Sequence, residues 1–474
     1  MKPGRRAAGG LAAVAASLIA FALPVAGAAA APSPGRTSHA AATPIKHFLF
    51  LMQGGRTFDN YFGTYPGADG PPAGTCQPLA ADHAGGKCIK PFLLNDADRA
   101  PLGANGTIVA SQWDSGKMDG FVSAFQRQGR DGAMAMGYYN AAELPFYWQA
   151  AQNYVLFDRF FSDTRYGIRD NRSYWVSASP APDGPGGMPK DGYGNLQTIF
   201  DRLQAAGVSW KFYVQGYNPR QTYQTASSAS SETQSVRVPL VDYRRFTRDP
   251  ELASHIVDLT QYYKDLSSGK LPAVAYVASS SGADERSAKS IPAGQSLVAT
   301  MTTELMKSPY WDSSALMWSY DGSGGWFDGV HPPVIAGQTL GFRVPALLIS
   351  AYARKGVVDH TVLDYASALR FIEQNWGLAP LTKLDAHANS LSGVFDFASA
   401  PRSPVLLRAN IPSGLDAYPT AKSLTQGQMH LAYLLYIGAA AVTVALLFIA
   451  AGSTRAAARR RASGGGSAAD GGTP

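Results

Sequence analysis

Apolar and polar positions alternate along the chain in blocks that predict buried strands separated by amphipathic helices. Apolar runs of strand length occupy residues 45–52, 208–214, 273–278, 315–320 and 344–350. A helical period of apolar positions occurs at residues 196–206, 296–306 and 364–376. Strands that alternate with helices favour an α/β domain with a central, largely parallel sheet.

The same pattern predicts where a functional site lies. In open α/β sheets, ligands bind beyond the carboxyl ends of the strands. The strand at 45–52 runs directly into a glycine-rich turn, and the strand at 315–320 ends at a second one. We therefore expect the chemistry just after Met52 and just after Tyr320.

The two ends of the chain carry targeting signals. Residues 1–28 have a basic start, an apolar run and small residues in A-x-A sites, which predicts a secretory signal peptide. An uncleaved anchor is the alternative, and the pair Arg5-Arg6 leaves open twin-arginine rather than general secretory export. Residues 431–451 form an uncharged apolar run of 21 residues, long enough to span a bilayer as a helix.

The distribution of charge along the chain predicts which parts lie inside and which lie outside the cell. The chain's net charge of +7 is concentrated in residues 1–28 and in the arginine-rich tail at 452–474, so the large central region is nearly neutral. A basic tail directly after a membrane helix remains cytoplasmic, which puts the bulk of the chain outside the cell. A nearly neutral domain argues against nucleic acid as a partner.

These signals divide the chain into a small-residue linker at 29–43, an extracytoplasmic domain at 44–403 and a juxtamembrane linker at 404–428. Its two cysteines, Cys76 and Cys88, lie in one Gly- and Pro-rich loop. An oxidising compartment favours a disulfide between them. A metal site that used His83 would lack a fourth ligand.

Five ordered stretches carry a resemblance to a known family. They lie at residues 45–70, 116–122, 144–174, 308–333 and 341–378, and the first reads IKHFLFLMQGGRTFDNYFGTYPGADG. Together they resemble the bacterial phosphoesterase family, which includes non-specific phospholipases C and related acid phosphatases. The resemblance spans residues 44–378 and implies a fold similar to the alkaline-phosphatase type of α/β sandwich. It also implies hydrolysis of phosphoric esters with a divalent metal.

Six positions depart from the family pattern. Gly54 and Gly55 stand where the family has a Glu and an Asn that approach the metal, and Ile168 stands at the nucleophile. Arg286 replaces a His, and Gly322 and Gly329 replace a Glu and a His. Glycine has no side chain with which to bind a metal, and isoleucine has no oxygen to attack phosphorus.

Six polar residues remain as pocket candidates: Thr57, Asn171, Arg172, Asp321, Asp328 and His331. Asp321 is the one candidate metal ligand that we single out. Each also has a structural interpretation. Thr57 can cap a helix, Asn171 and Arg172 can anchor a loop, and the two aspartates can bind the backbone of a turn. We favour these structural roles, and an exposed loop position for His331.

The sequence thus leaves two main functions open. One is an active hydrolase of phosphate esters or phospholipids at the cell surface, with a divalent metal as cofactor. The other, which the substitutions favour, is a catalytically impaired relative that acts in binding or as a scaffold and needs no cofactor. A different hydrolytic chemistry in the same pocket is a third possibility. The expected partners are the membrane and a phosphorylated small molecule or lipid headgroup.

Overall fold

A computed structural model of the chain describes residues 39–407, apart from 81–85, 96–101, 166, 185–186, 188–190 and 227–231. The predicted signal peptide, membrane helix and cytoplasmic tail lie outside the described residues, as do most of both linkers. None of the helices in the described part is long and apolar enough to cross a membrane.

The centre of the described part is an eight-stranded sheet. Its strands in chain order are β1 His47–Gln53, β2 Val155–Phe157, β3 Trp210–Val214, β4 Ile256–Asp258, β5 Val274–Ala278, β6 Ser314–Tyr320, β7 Ala346–Ser350 and β8 Val357–Asp359. Their order across the sheet is β8-β2-β7-β6-β1-β5-β3-β4. All five strands that the hydrophobic pattern predicted are present, within two residues at each end.

One strand breaks the parallel arrangement. β7 pairs antiparallel with both β6 and β2, whereas every other pair in the sheet is parallel. The chain leaves the carboxyl end of β6 at Tyr320 and re-enters the sheet at Ala346, which lies opposite Ser319. Because β7 begins at the edge where β6 ends, it must run in the opposite direction. The sheet is therefore largely parallel, as predicted.

Thirteen α-helices accompany this sheet in the described residues. They are α1 Phe58–Phe62, α2 Gly106–Trp113, α3 Ser123–Gln126, α4 Pro145–Asn153, α5 Ile168–Ser177, α6 Ile199–Ala205, α7 Gln234–Arg237, α8 Arg244–Arg248, α9 Pro250–Ala253, α10 Thr260–Ser268, α11 Ile291–Lys307, α12 Tyr365–Trp376 and α13 Lys383–His387. Short 3-10 turns occupy Asp114–Gly116, Ala133–Met136, Pro239–Asp242, Trp311–Ser313 and Leu391–Val394.

Local sequence explains where the predicted helices begin and end. Asp364 caps α12 by accepting from the Ser367 amide, and Gly377 ends it in the left-handed conformation. Ser290 caps α11, which begins five residues earlier than predicted. The proline at position 292 is compatible with that extension because the first helical turn needs no amide donor there.

Helices cover both faces of the sheet. On one face, Phe48 packs on Phe371 of α12, and Phe50 packs on Trp175 of α5. On the other face, Trp318 of β6 stacks on Tyr147 of α4 with ring centres 4.1 Å apart. β1 is buried along almost its whole length, as expected for a parallel strand between two helical layers.

Three two-stranded ribbons lie outside the main sheet: Gln77–Pro78 with Cys88–Ile89, Phe92–Leu93 with Gly137–Tyr138, and Val334–Ile335 with Gln338–Thr339. Cys76 and Cys88 form a disulfide bond, which is the pairing that the sequence predicts. Their Cα atoms are 5.6 Å apart, an ordinary separation for a bridge.

Candidate ligand-binding site

A cavity of about 380 Å³ opens at the carboxyl end of β6. Its walls come from residues 103–106, 109, 162, 164–165, 167–169, 171, 286–287, 321–324 and 342. The strand ends are joined directly here, since the Asp321 amide donates to the Gln53 carbonyl at 3.0 Å. The cavity therefore lies where the sheet topology predicted a site.

Helix α5 begins at this cavity. Gly167 is its N-cap, with no side-chain cap, and Gly167, Ile168 and Arg169 all line the cavity. No residue in the described part of the chain accepts from the first-turn amides of this helix. Unsatisfied amides at a helix start favour an anion. The Ile168 side chain supplies no nucleophile beside them.

A buried ion-pair network forms the floor of the site. Asp321 Oδ2 accepts from Arg172 Nε at 2.8 Å and from Nη2 of Arg286. Arg286 also donates through Nε to Asp284 Oδ2 at 3.0 Å. Asp321 and Arg172 are fully buried, so these contacts form in a low-dielectric environment.

The guanidinium of Arg286 lies against Gly54. A Cβ atom built on Gly54 would be 2.3 Å from Arg286 Nη2 and 2.4 Å from its Cζ. The space that a Glu side chain would take at position 54 is thus filled by a cation that the chain itself provides. The Gly54 substitution and the Arg286 substitution therefore form one structural unit.

This arrangement does not fit a divalent metal. Among the described residues, no group of three or more His, Cys, Asp or Glu side chains is arranged to hold a metal ion. Asp321, the candidate ligand, has one oxygen bound by two guanidinium groups. A metal needs carboxylate, amide or imidazole ligands, whereas arginine supplies only donors and positive charge.

Beside the cavity floor, the guanidinium groups of Arg172, Arg237 and Arg286 interact with the carboxylates of Asp284, Asp321 and Glu232. Burial and the neighbouring Arg172 lower the pKa of Arg237 to about 10. Burial also raises the pKa of Asp284, although Arg286 opposes this.

The sequence candidates separate into two groups in the structure. Asn171 and Asp321 line the cavity, together with the substituted positions Ile168, Arg286 and Gly322. Asn171 holds the adjoining loop, because its Oδ1 accepts from the Thr164 amide at 2.9 Å and its Nδ2 donates to the Asp321 carbonyl at 3.0 Å.

Arg172, another of the pocket candidates, does not line the cavity. It is fully buried behind Asp321 and donates to the Arg237 and Gln53 carbonyls at 3.1 and 3.2 Å. Through Asp321 and the Gln53 carbonyl, it links the ends of β1 and β6. Arg286 is the arginine of the pair that reaches the cavity wall.

The remaining candidates lie elsewhere. Thr57 caps α1 and donates to the Phe327 carbonyl at 2.5 Å. Asp328 is fully buried in an ion pair with Arg343 Nε at 2.9 Å. His331 packs its ring on Trp113, with ring centres 4.7 Å apart. Gly55, Gly54 and Gly329 also do not form part of the cavity wall.

Sequence reasoning missed the second buried network. Arg343 lies just before β7 and bonds Asp59 Oδ1 at 2.8 Å as well as Asp328. It also donates to the carbonyls of Asp69 and Asp158. The sequence did contain a signal for this network, namely charged residues within stretches that are otherwise apolar. A charged residue that is buried with such a stretch needs a partner of opposite charge.

A third cluster positions Arg286. The Glu285 carboxylate accepts from the hydroxyls of Tyr61 and Tyr147 at 2.5 Å, and from the Tyr320 hydroxyl. Glu285 itself has a φ of 61°, a strained conformation for a residue with a side chain. The contacts with the tyrosines fix the backbone at Glu285, and this positions the next residue, Arg286, against Gly54.

We expect Glu285 to make the stability of the fold depend on pH. Burial raises its pKa to about 7, and the hydrogen bonds from the tyrosines oppose that rise. A carboxyl with a raised pKa in the folded state stabilises the fold at low pH, and this contribution is lost as the pH rises towards 7. The loss should be roughly 3 kcal/mol between about pH 4.3 and 7.

The measurement is the free energy of unfolding in urea across that pH range, for the native chain and for Glu285→Gln. The variant should lose that part of the slope. Asp59, whose pKa is also about 7, contributes in the same direction in both proteins and cancels in the difference. Equal slopes in the two proteins would contradict the assignment.

Comparison with known proteins identifies the family. A model of the Phosphoesterase family matches residues 45–379, so the chain belongs to the phosphoesterase family. This confirms what the five sequence blocks indicated.

Among curated relatives, Phospholipase C B of Mycobacterium tuberculosis is 27% identical over 445 residues, covering 78% of this chain and 80% of the relative. The Non-hemolytic phospholipase C of Pseudomonas aeruginosa is 25% identical, covering 79% of this chain and 60% of the relative. Non-specific phospholipase C1 of Arabidopsis thaliana is 27% identical, covering 76% of this chain and 72% of the relative. The chain is thus similar to phospholipases C over most of its length.

Similar solved structures include an alkaline phosphatase superfamily protein from Vibrio parahaemolyticus, with a TM-score of 0.37 and 11% identity over 76% of this chain and 74% of that one. A phosphonate monoester hydrolase of Agrobacterium radiobacter has a TM-score of 0.36 and 10% identity over 77% of this chain and 79% of that one. TM-scores this low do not define a fold. The α/β architecture therefore rests on the sheet described above.

Proposed function

We propose that this phosphoesterase-family protein binds a phosphorylated ligand without hydrolysing it. The observation that carries the proposal is the Arg286 guanidinium, which lies against Gly54 and pairs with Asp321. In this arrangement a fixed side-chain cation replaces the metal that the family resemblance implies. Such a cation can hold an oxyanion but cannot activate a water molecule.

Two further features support binding over turnover. Ile168 occupies the start of α5, where an attacking oxygen is required, and it faces the cavity. The free amides of that helix start and the Arg286 side chain provide the donors that a phosphate group needs. The ligand is a phosphorylated small molecule or a lipid headgroup.

We expect the purified full-length chain to show no metal-dependent hydrolysis of nitrophenyl phosphate or of phosphatidylcholine. Loss of one element of a catalytic unit already lowers kcat by orders of magnitude, and here both nucleophile and metal ligands are replaced. The assay compares the protein with added Mg²⁺ or Zn²⁺ and with a chelator, beside a measurement of bound metal.

Ile168→Thr provides the matched test of this argument. It restores a hydroxyl at the helix start but leaves Arg286 in place, so it too should be inactive. Turnover by the native chain that a chelator abolishes would support instead the active hydrolase that the family membership allows.

We also propose that the protein is anchored in the cell membrane by residues 431–451, with the folded domain outside and the tail at 452–474 inside. The apolar run, the arginines that follow it and the basic start of the chain support this. The disulfide between Cys76 and Cys88 is consistent with an oxidising compartment.

Protease added to intact cells, or to spheroplasts where an outer membrane is present, should digest the domain and spare a tag placed after Pro474. A chain that ends at Gln428 should be released in soluble form. Digestion of the tag with protection of the domain would reverse the topology. Retention of the shortened chain would indicate an uncleaved N-terminal anchor.

A further inference from the structure

Both ends of the described chain leave the sheet at its amino edge, the edge where the parallel strands begin. Residues 39–46 lead directly into β1 there. The Lys46 amide donates at 2.8 Å to the carbonyl of Ser313, the residue before β6 begins. The Ala42 amide donates at 2.7 Å to the carbonyl of Asn375, near the end of α12. The N-terminal segment is therefore held where β1 and β6 start.

The C-terminal segment is held at the same edge. Arg402 donates through Nη2 to the carbonyls of Ala353 and Asn153 at 2.6 and 3.2 Å, and its own carbonyl accepts from Trp311 Nε1 at 2.7 Å. Asn153 lies two residues before β2 begins, and Trp311 lies three residues before β6 begins. The last described residue, Leu407, follows Arg402 by five positions. The chain thus exits at the amino edge in both directions.

The cavity lies at the opposite edge of the sheet. Its walls include residues 321–324, which directly follow β6, and residues 286–287, which follow β5. Between the two edges, β6 runs from Ser314 to Tyr320. At about 3.3 Å per residue, this strand separates the edges by about 20 Å. The sheet and its helices therefore stand between the cavity and whatever holds either end of the chain.

A membrane anchor at either end would lie on the exit side of the sheet. The proposed anchor at residues 431–451 follows residues 408–430, which reach at most about 80 Å when fully extended. A compact domain of this size has a radius of gyration of about 21 Å, so the path around it to the opposite edge is also about 80 Å. The cavity could face its own bilayer only with this stretch drawn taut around the domain. An uncleaved N-terminal anchor would hold the same side, because residues 39–46 also leave at the amino edge.

We propose that the cavity faces away from the membrane that anchors the protein, and that its ligand is a water-soluble phosphorylated molecule rather than a headgroup of that membrane. The inference rests on the proposed function, because it names the source of the ligand at the same site, and on the proposed anchor. A lipid headgroup stays at its bilayer surface, whereas a small phosphate ester diffuses to either side of the domain. The position of the cavity thus separates two sources that share one binding group.

The orientation is measurable without any ligand, in the full-length protein reconstituted into phosphatidylcholine vesicles. A fluorophore at Thr107→Cys reports the cavity side, because Thr107 is exposed on α2 between the lining residues Gly106 and Val109. A fluorophore at Lys355→Cys reports the exit side, because Lys355 is exposed in the turn between β7 and β8. The native cysteines form a disulfide and leave no free thiol for the dye. Energy transfer to acceptor lipids should place the Thr107 label about 20 Å or more farther from the bilayer than the Lys355 label.

A competition experiment tests the source of the ligand. Glycerol 3-phosphate is titrated onto the full-length protein in maltoside micelles, which carry no phosphate, and in phosphatidylcholine vesicles without and with phosphatidic acid. A headgroup that enters the cavity would act as a tethered competitor at roughly millimolar effective concentration. It would weaken the apparent affinity about tenfold if its Kd were about 0.1 mM. We expect no such loss in either kind of vesicle.

Two controls accompany the titration. Vesicles in which oleate replaces phosphatidic acid carry negative charge without phosphate, so they correct for repulsion of the soluble ester by the surface. Arg286→Gln removes a donor from the cavity wall and should weaken glycerol 3-phosphate by about tenfold in every arm. Unchanged binding by that variant would place the bound ester outside this cavity and would overturn the inference about its ligand.

The outcomes distinguish this inference from the proposed function. A Thr107 label no farther from the bilayer than the Lys355 label would overturn the orientation, and tenfold competition by phosphatidic acid relative to oleate would overturn the soluble source. Non-hydrolytic binding would stand in both cases. Release of inorganic phosphate from glycerol 3-phosphate would overturn non-hydrolytic binding and leave the orientation intact. If no phosphate ester or lipid binds, the proposed function fails, and the two label distances still decide the orientation. A full-length protein that does not enter vesicles would overturn the anchor and this inference with it.

Discussion

Arg343→Ala should destabilise the fold by about 3–5 kcal/mol, or prevent folding altogether. The Arg343 side chain is completely buried and bonds two carboxylates, Asp59 Oδ1 at 2.8 Å and Asp328 Oδ1 at 2.9 Å. Its removal would leave two negative groups close together without a cation. Burial and the proximity of Asp328 already raise the pKa of Asp59 to about 7, although Arg343 opposes that rise.

The effect is large because Arg343 joins distant parts of the chain. Its Nη1 donates to the carbonyls of Asp69 and Asp158 at 2.7 and 2.9 Å. Asp69 lies in the segment after β1, and Asp158 directly follows β2. The Arg343 side chain therefore holds these two segments together. No hydrophobic neighbour can supply those hydrogen bonds.

Urea unfolding of the native chain and of the variant measures this cost. Arg159→Ala is the matched control, because Arg159 pairs with Asp69 at 2.7 Å but both side chains are more than a third exposed. Exposed pairs contribute about 0–1 kcal/mol. A cost for Arg343→Ala that is no greater than for Arg159→Ala would show that the buried network does not stabilise the fold.

The strands and the location of the site could be predicted because both follow from local pattern and topology. Five uninterrupted apolar runs are long enough to be recognised as buried strands. The carboxyl ends of parallel strands lie at one edge of a sheet, which is where ligands bind. The three-residue strands Val155–Phe157 and Ile256–Asp258 are too short to show a period. They form because neighbouring strands offer an edge for pairing.

Helix α5 was not predicted for a different reason. Its sequence, IRDNRSYWVS, is largely polar, yet every residue from Arg169 to Ser177 is buried. A helix whose polar side chains bond to buried partners has no amphipathic stripe, so periodicity does not reveal it. Its contacts could not be predicted either, because the partners Arg172 and Asp321 are 149 residues apart in the sequence. The motif comparison showed which residues changed, but not that two of the changes compensate each other in space.

That compensation is measurable as a coupling between Gly54 and Arg286. Gly54→Ala should destabilise the protein by about 1–3 kcal/mol, because the new methyl group would overlap the Arg286 guanidinium and displace it from Asp321. In an Arg286→Ala background the space is empty, and the same substitution should cost almost nothing. A double-mutant cycle by urea unfolding gives the difference directly.

Gly329→Ala is the control for the cycle. It is another glycine at a substituted family position, but a Cβ there would make ordinary contacts at 3.4 Å or more, none of them with Arg286. Its effect should be within about 0.5 kcal/mol and should be the same in both backgrounds. If Gly54→Ala also shows no coupling to Arg286, the guanidinium does not occupy the space above Gly54. The inference that this guanidinium fills the place of the family's Glu at position 54 would then fail.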